Sequence, residues 1–147
     1  MKLNLHWFIL LAILFALPLT ACAPSAPPED DHKPVSLEPI EGTDLNRITL
    51  TEKAAERLGL ETAPVITQQV DGAERLVIPY AALLYDPSGQ AWVYVNIEPL
   101  VFVRQEITVD SIQGDEVVLS EGPEAGANVV TLGATELFGS ESEFEEE

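Results

Sequence analysis

The sequence predicts a mainly β fold, a small antiparallel β-roll or barrel-like domain with one short N-terminal helix, and three observations lead there. From Thr62 onward, short runs of β-branched and aromatic residues alternate with clusters of turn-forming residues. Just before them, Thr51 to Gly59 carries the start and stop signals of a short helix. The chain of 147 residues is long enough for one domain and no more.

The elements follow in chain order. Met1 to His6 contains one lysine, and Trp7 to Leu19 is an almost unbroken apolar run, the layout of a secretory signal. That run falls short of the ~20 residues a membrane-spanning helix needs, so a processed signal is expected rather than a permanent span. Leu19-Thr20-Ala21-Cys22 resembles the lipobox of bacterial lipoproteins, in which an aliphatic and two small residues precede the cysteine that is lipidated. The resemblance implies a signal peptide over residues 1–21 and a lipid on Cys22, the only cysteine. An ordinary signal cleaved near Ala21 or Ala23 is the alternative, and it would leave a lone thiol in an oxidising compartment. Each buried acyl CH₂ contributes about 0.8 kcal/mol, so several chains on one cysteine make a durable anchor. The expected location is the cell envelope, with the lipid in a membrane and the domain facing the periplasm or the exterior.

Residues 22–45 are rich in proline, acid and small side chains and are expected to form a disordered tether. Thr51 is then an N-cap, Glu52 sits where the helix dipole favours an anion, Arg57 lies in the last turn, and Gly59 can take the left-handed conformation that ends the helix. Ala54, Ala55 and Leu58 give it an apolar side that must pack on a sheet, because so short a helix cannot stand alone. Strands are expected at Thr62–Val70, Arg75–Pro79, Ala82–Tyr85, Ala91–Asn96, Val101–Asp110, Glu116–Ser120 and Asn128–Leu132. The breaks are Asp71-Gly72, Asp86 to Gly89, Gln113 to Asp115, and Glu121 to Gly126.

Alternation adds detail. Trp92 and Tyr94 share one face of their strand and the valines the other, which predicts cover on both sides or an aromatic face under the helix. In Phe102 to Val109, the set Val103, Gln105, Ile107 and Val109 is the better core candidate, opposite Phe102, Arg104, Glu106 and Thr108. Residues 46–139 are thus expected to be the folded domain, and residues 140–147, dense in glutamate, a disordered acidic tail.

The chemistry on offer is sparse. The net charge of -18 repels phosphate backbones, which argues against nucleic-acid partners and favours cations or basic proteins. His6 lies in the signal and His32 in the tether, so no histidine serves the folded part, and a serine hydrolase or a histidine metal site is not expected. Carboxylates are plentiful, but no spacing singles out a working pair. There is no calcium-loop pattern and no phosphate-cradling glycine loop, and Met1 is the sole methionine. No enzyme activity, metal, cofactor or small-molecule substrate is therefore expected.

Val77-Ile78-Pro79-Tyr80-Ala81-Ala82-Leu83-Leu84-Tyr85-Asp86, then Gly89 to Val95, Phe102-Val103-Arg104, Gly114-Asp115, Glu121-Gly122-Pro123, Ala125-Gly126, Gly133 and Glu136 to Gly139 follow one another in order. Together they resemble the C-terminal, membrane-proximal part of periplasmic adaptor subunits, or membrane fusion proteins, of RND-type efflux pumps. The likeness covers roughly residues 46–139. Val70 to Arg75 joins the two halves directly, where a full-length adaptor would carry its barrel, lipoyl-like and hairpin domains. The resemblance implies a membrane-proximal-like β domain that packs near a pump, and the missing parts put the adaptor's tube-building role in doubt. The expected function is a non-enzymatic lipoprotein module docking on an RND transporter or a full-length adaptor. Arg104, Tyr80, Tyr85 and Phe102 are the expected partner-facing residues, Arg104 first, because a charge in mid-strand is hard to explain by burial. The alternative is a cation-binding or buffering lipoprotein that uses its acidic surface and tail.

Overall fold

The computed structural model describes residues 33–145, with side chains to residue 142, so the expected signal, Cys22 and the first part of the expected tether, to residue 32, lie outside the described residues. Among these residues eleven strands form two open antiparallel sheets, a mainly β fold but not a closed barrel. The first sheet runs in the order β1 (Val35–Pro39), β2 (Asn46–Leu50), β8 (Val101–Glu106), β7 (Ala91–Glu98), β11 (Asn128–Leu132), β3 (Glu61–Pro64), with the short β6 (Leu84–Tyr85) also on β7. The second runs β4 (Ile66–Val70), β5 (Ala73–Pro79), β10 (Glu116–Glu121), β9 (Thr108–Gln113).

Two of the expected long strands are each two strands that change sheet at one buried residue. Thr62–Val70 breaks at Val65, and Val101–Asp110 breaks at Ile107. The corner N–H groups stay bonded, Val65 to the carbonyl of Ala127 at 2.8 Å and Ile107 to that of Ala91 at 3.0 Å. Strands that switch sheets make the corners of such packings. A 3₁₀ turn, Tyr80–Ala82, carries the chain across a third time and buries Ala82. Val65, Ile107 and Ala82 join Ile78, Val93, Val117, Leu119 and Val129 in the core between the sheets.

A second core lies on the other face of the first sheet: Ile48, Leu50, Tyr94, Phe102 and Val130, covered by Ala54, Ala134 and Leu137 from two helices. Trp92 and Tyr94 thus share a strand whose opposite face, Val93 and Val95, fills the inter-sheet core, so β7 is covered on both sides. Helix α1 (Glu52–Leu58) has the caps its sequence announces: Thr51 Oγ1 accepts from the Ala54 N–H at 3.2 Å, and Gly59 ends it at φ 61°. Helix α2 (Ala134–Glu145) starts after Gly133, whose φ is 85°.

Five expectations need correction. Among the described residues there are two helices rather than one, and the sheets stay open. The span expected as tether contributes a strand, because Val35 to Pro39 pairs with Leu50 to Asn46 and brings Val35 and Leu37 to the second core. The acidic segment after Gly139 continues α2 to Glu145 rather than hanging free, since its Glu141 is buried. Phe102 on β8 is core as much as Ile107 is, because Phe102 packs in the second core while Ile107, at the corner after β8, packs in the core between the sheets.

Candidate functional site

Arg104 on β8 stands directly across from Tyr94 on β7, and Trp92 lies two residues along β7 on the same face. Helix α2 crosses over that face. Residues three apart in a helix share a side, so Phe138 and Glu141 descend together. The Tyr94 Oη–H donates to Glu141 Oε2 at 2.6 Å, and Arg104 Nε lies 3.5 Å from the same oxygen. The guanidinium is stacked over the Trp92 ring at 4.6 Å and near that of Phe138 at 5.4 Å, both within cation–π range. Side-chain exposure is 13% for Arg104 and 2% for Glu141. Arg104 Nε and Glu141 Oε1 make no hydrogen bond despite their burial, so the pair is held by charge and stacking rather than by a fork of bonds.

This cluster does structural work. Its one shared carboxylate oxygen is already engaged by a tyrosine and an arginine, and the aromatic rings close the guanidinium in. Arg104 is therefore turned toward the protein's own helix, a correction to the expectation that it faces a partner. Phe102 is corrected likewise: it is buried in the core beneath the helices. Tyr80 and Tyr85 are different, exposed by 51% and 55% on the segment that crosses between the sheets. The structure thus divides the four expected interface residues into two inside and two outside. Cys22 lies outside the described residues.

Asp86 fixes the end of that crossing segment. Its Oδ1 accepts from the Ser88 N–H at 2.8 Å, the Ser88 hydroxyl at 2.6 Å and the Gln90 N–H at 2.9 Å. Its Oδ2 accepts from the Trp92 indole N–H at 3.1 Å. The Ser88 hydroxyl bond, helped by those from Gln90 and Trp92 and opposed by some desolvation, lowers its pKa from 3.8 to about 2. Trp92 consequently ties the exposed Tyr85–Asp86 turn to the Arg104 cluster.

Two surface cavities lie among the described residues. One, of about 270 Å³, is lined by Pro64, Ile66, Val77, Ile78 and Pro79, with Asp115 and Glu116. Tyr80 adjoins it, since its backbone N–H donates to the carbonyl of Asp115 at 2.8 Å. The other, of about 350 Å³, lies between α1 and the first sheet, against Ala55, Leu60, Asn96 and Phe102. Among the described residues no group of three or more His, Cys, Asp or Glu side chains is placed to hold a metal ion. No helix among them is long and apolar enough to cross a membrane.

Glu141, central to the buried cluster, was not marked out by the sequence reading, although Ala134, Leu137, Phe138 and Glu141 recur at helical spacing. Comparison with family models, with curated proteins and with solved structures finds no match.

Proposed function

We propose that this chain is a lipid-anchored, non-enzymatic, adaptor-like module of the cell envelope that docks on an RND-type efflux transporter or on its full-length adaptor. The lipid on Cys22 would hold it at a membrane, and the stretch after Cys22 would space the domain from the bilayer. The observation that carries the reading is the junction of the two halves. A two-residue turn, Asp71-Gly72, closes β4 onto β5 with Val70 paired to Ala73, at the point where the resemblance places the inserted domains of a full-length adaptor. The halves on either side of that turn form one set of sheets, as a membrane-proximal domain reduced to its own fold would require.

Exposed Tyr80 and Tyr85 support docking, because large aromatic side chains left in solvent beside polar rims are the residue types that anchor interfaces. Glu141 in the buried cluster takes one carboxylate away from the acidic tail as a cation-binding surface.

The test is affinity purification from detergent-solubilised native membranes, with the tag inserted in the tether, followed by mass spectrometry. Recovery of an RND pump or a full-length adaptor, reduced by Tyr80→Ala with Tyr85→Ala, is the expected result. A Cys22→Ala chain should leave the membrane fraction and lose the partner with it. Recovery of the lipoprotein alone at good yield would count against docking.

A further inference from the structure

Among the described residues, one edge of the second sheet carries no protection. Edge strands template pairing with other chains, and proteins usually blunt them with charge, proline or bulges. The described edges show this. Strand β1 carries Glu38 and ends in Pro39, β3 ends in Pro64 and has a register shift against β11, and β9 has register shifts against β10. Strand β4, Ile66-Thr67-Gln68-Gln69-Val70, has no charged residue, no proline and an unbroken register with β5.

The register also says which backbone groups are free. Asp71 and Gly72 both have positive φ, 52° and 81°, the conformation of a type I′ hairpin turn. Val70 and Ala73, which flank it, then exchange both their hydrogen bonds, and bonded pairs alternate from there. Gln68 with Arg75 and Ile66 with Val77 are bonded within the sheet. Thr67 and Gln69 therefore turn their N–H and C=O groups outward from the last strand of the sheet.

Where β4 departs for the other sheet at Val65, the end of β5 loses its neighbour on that side, and the 270 Å³ cavity opens there. Its walls are Pro64, Ile66, Val77, Ile78 and Pro79, and its polar groups are the exposed carboxylates Asp115 and Glu116. An apolar sleeve ending in two carboxylates suits a side chain with an aliphatic stem and a cationic head. Arg75, the nearby cation, sits opposite Gln68, farther along the sheet from this end. The whole chain, with 25 acidic against 7 basic residues, draws the same kind of partner.

We propose that the free edge of β4 and the notch beside it form a strand-addition site for an extended, basic segment of a protein partner. Main-chain bonds to Thr67 and Gln69 would supply affinity, and an arginine or lysine in the notch would supply selectivity. This deepens the docking reading above and rests on it only for which protein supplies the segment.

The test uses the full chain in detergent and a labelled, extended peptide of alternating valine and threonine with one central arginine, against the same peptide carrying glutamate instead. Fluorescence anisotropy should show saturable binding of the arginine peptide, stronger than the glutamate peptide by at least about tenfold and weakened by salt. Amide exchange should slow at Thr67 and Gln69 when the peptide is present. Thr67→Pro removes an outward N–H without touching the β4–β5 ladder and should weaken binding by about tenfold or more. Glu116→Gln together with Asp115→Asn should erase most of the preference for arginine while leaving the glutamate peptide's binding unchanged or improved.

Equal binding of the two peptides, or unchanged exchange at Thr67 and Gln69, would overturn the proposal. Protection of those amides in the peptide-free chain together with a dimer by sedimentation would overturn it too, by naming a second copy as the occupant. Should Thr67→Pro unfold the chain, the exchange measurement on the unsubstituted protein decides. Peptide binding with no pump recovered from membranes would sink the transporter reading and leave this site standing; the reverse result would do the opposite.

Discussion

Replacing Glu141 with alanine is the sharpest probe of the C-terminal helix. At 3.5 Å and an effective dielectric of about 20, the attraction between Arg104 and Glu141 is ~5 kcal/mol before desolvation. Taking both ions out of water offsets several kcal/mol of that. The Tyr94 hydrogen bond at 2.6 Å, to a charged acceptor, contributes about 1.5–3 kcal/mol. Alanine removes all of these and leaves the guanidinium without its counter-charge in a dry interior, a change that costs about 3–5 kcal/mol when a buried pair is broken. The 13% exposure of Arg104 lets water reach part of its charge, which places the expected loss at the lower end, ~3 kcal/mol. Against a domain stability of about 5–15 kcal/mol this is a large fraction, about a hundredfold in the folded-to-unfolded ratio. Urea unfolding read by fluorescence serves as the assay, with Trp7→Phe so that Trp92, stacked on Arg104, is the only reporter. The midpoint should fall with the slope unchanged. Glu141→Gln, which keeps the shape and an acceptor for Tyr94, should lose less. A loss under about 0.5 kcal/mol for the alanine variant, the range of an ordinary surface change, would refute the reasoning and return residues 140–147 to a free acidic tail.

Two further outcomes test separate parts of the fold. Gly133 holds φ 85°, and a Cβ there would run into the Leu60 side chain, so Gly133→Ala should destabilise by about 1–3 kcal/mol or more; adding Leu60→Ala should relieve the collision but not the backbone strain, as double-variant unfolding curves would show. For Asp86, the folded pKa of about 2 lies below the ordinary aspartate value of 3.8, so its stabilising effect is complete above about pH 4 and is lost as the pH falls through about 2. The Trp92 indole N–H resonance should titrate with its midpoint near 2 and stay flat in Asp86→Asn, and a midpoint near 3.8 would mean that the turn bonds do not form in solution.

Much of the local structure was legible, and for identifiable reasons. Thr51 and Gly59 act through local backbone chemistry, so α1 could be bounded from sequence alone. The turn residues located the strand breaks for the same reason, and the alternation around Trp92 and Tyr94 left two arrangements open, of which cover on both faces of β7 is one the structure shows. Sheet membership was not legible. Thr62–Val70 and Val101–Asp110 read as continuous strands because a chain that passes from one sheet to another at a single extended residue keeps its period of two. Val65 and Ile107 differ from their neighbours only in burial, which the other strands determine. Val35 to Pro39 was hidden by composition: proline and acid around it suggested a tether, while Val35 and Leu37, two residues apart, were enough to dock one face of an edge strand on β2.

The misreadings of Arg104 and of the tail are one error seen from its two ends. A charge in mid-strand looks available to a partner only while the cover of its face is unknown, and a glutamate-rich end looks free only while its period is ignored. Net acidity measures how strongly a segment is solvated on average, whereas docking depends on the few residues that share a side. Ala134, Leu137, Phe138 and Glu141 share one, and three of them are buried. The fourth, Phe138, stacks near the arginine that the glutamate meets. An acidic residue can occupy such a side when a cation and a donor wait beneath it, and β7 and β8 supply both at one register position, Tyr94 opposite Arg104. The exposed carboxylates therefore have to be judged singly. Asp115 and Glu116, beside an apolar notch with no cation of the described notch lining to meet them, are the ones placed to receive a charge from outside.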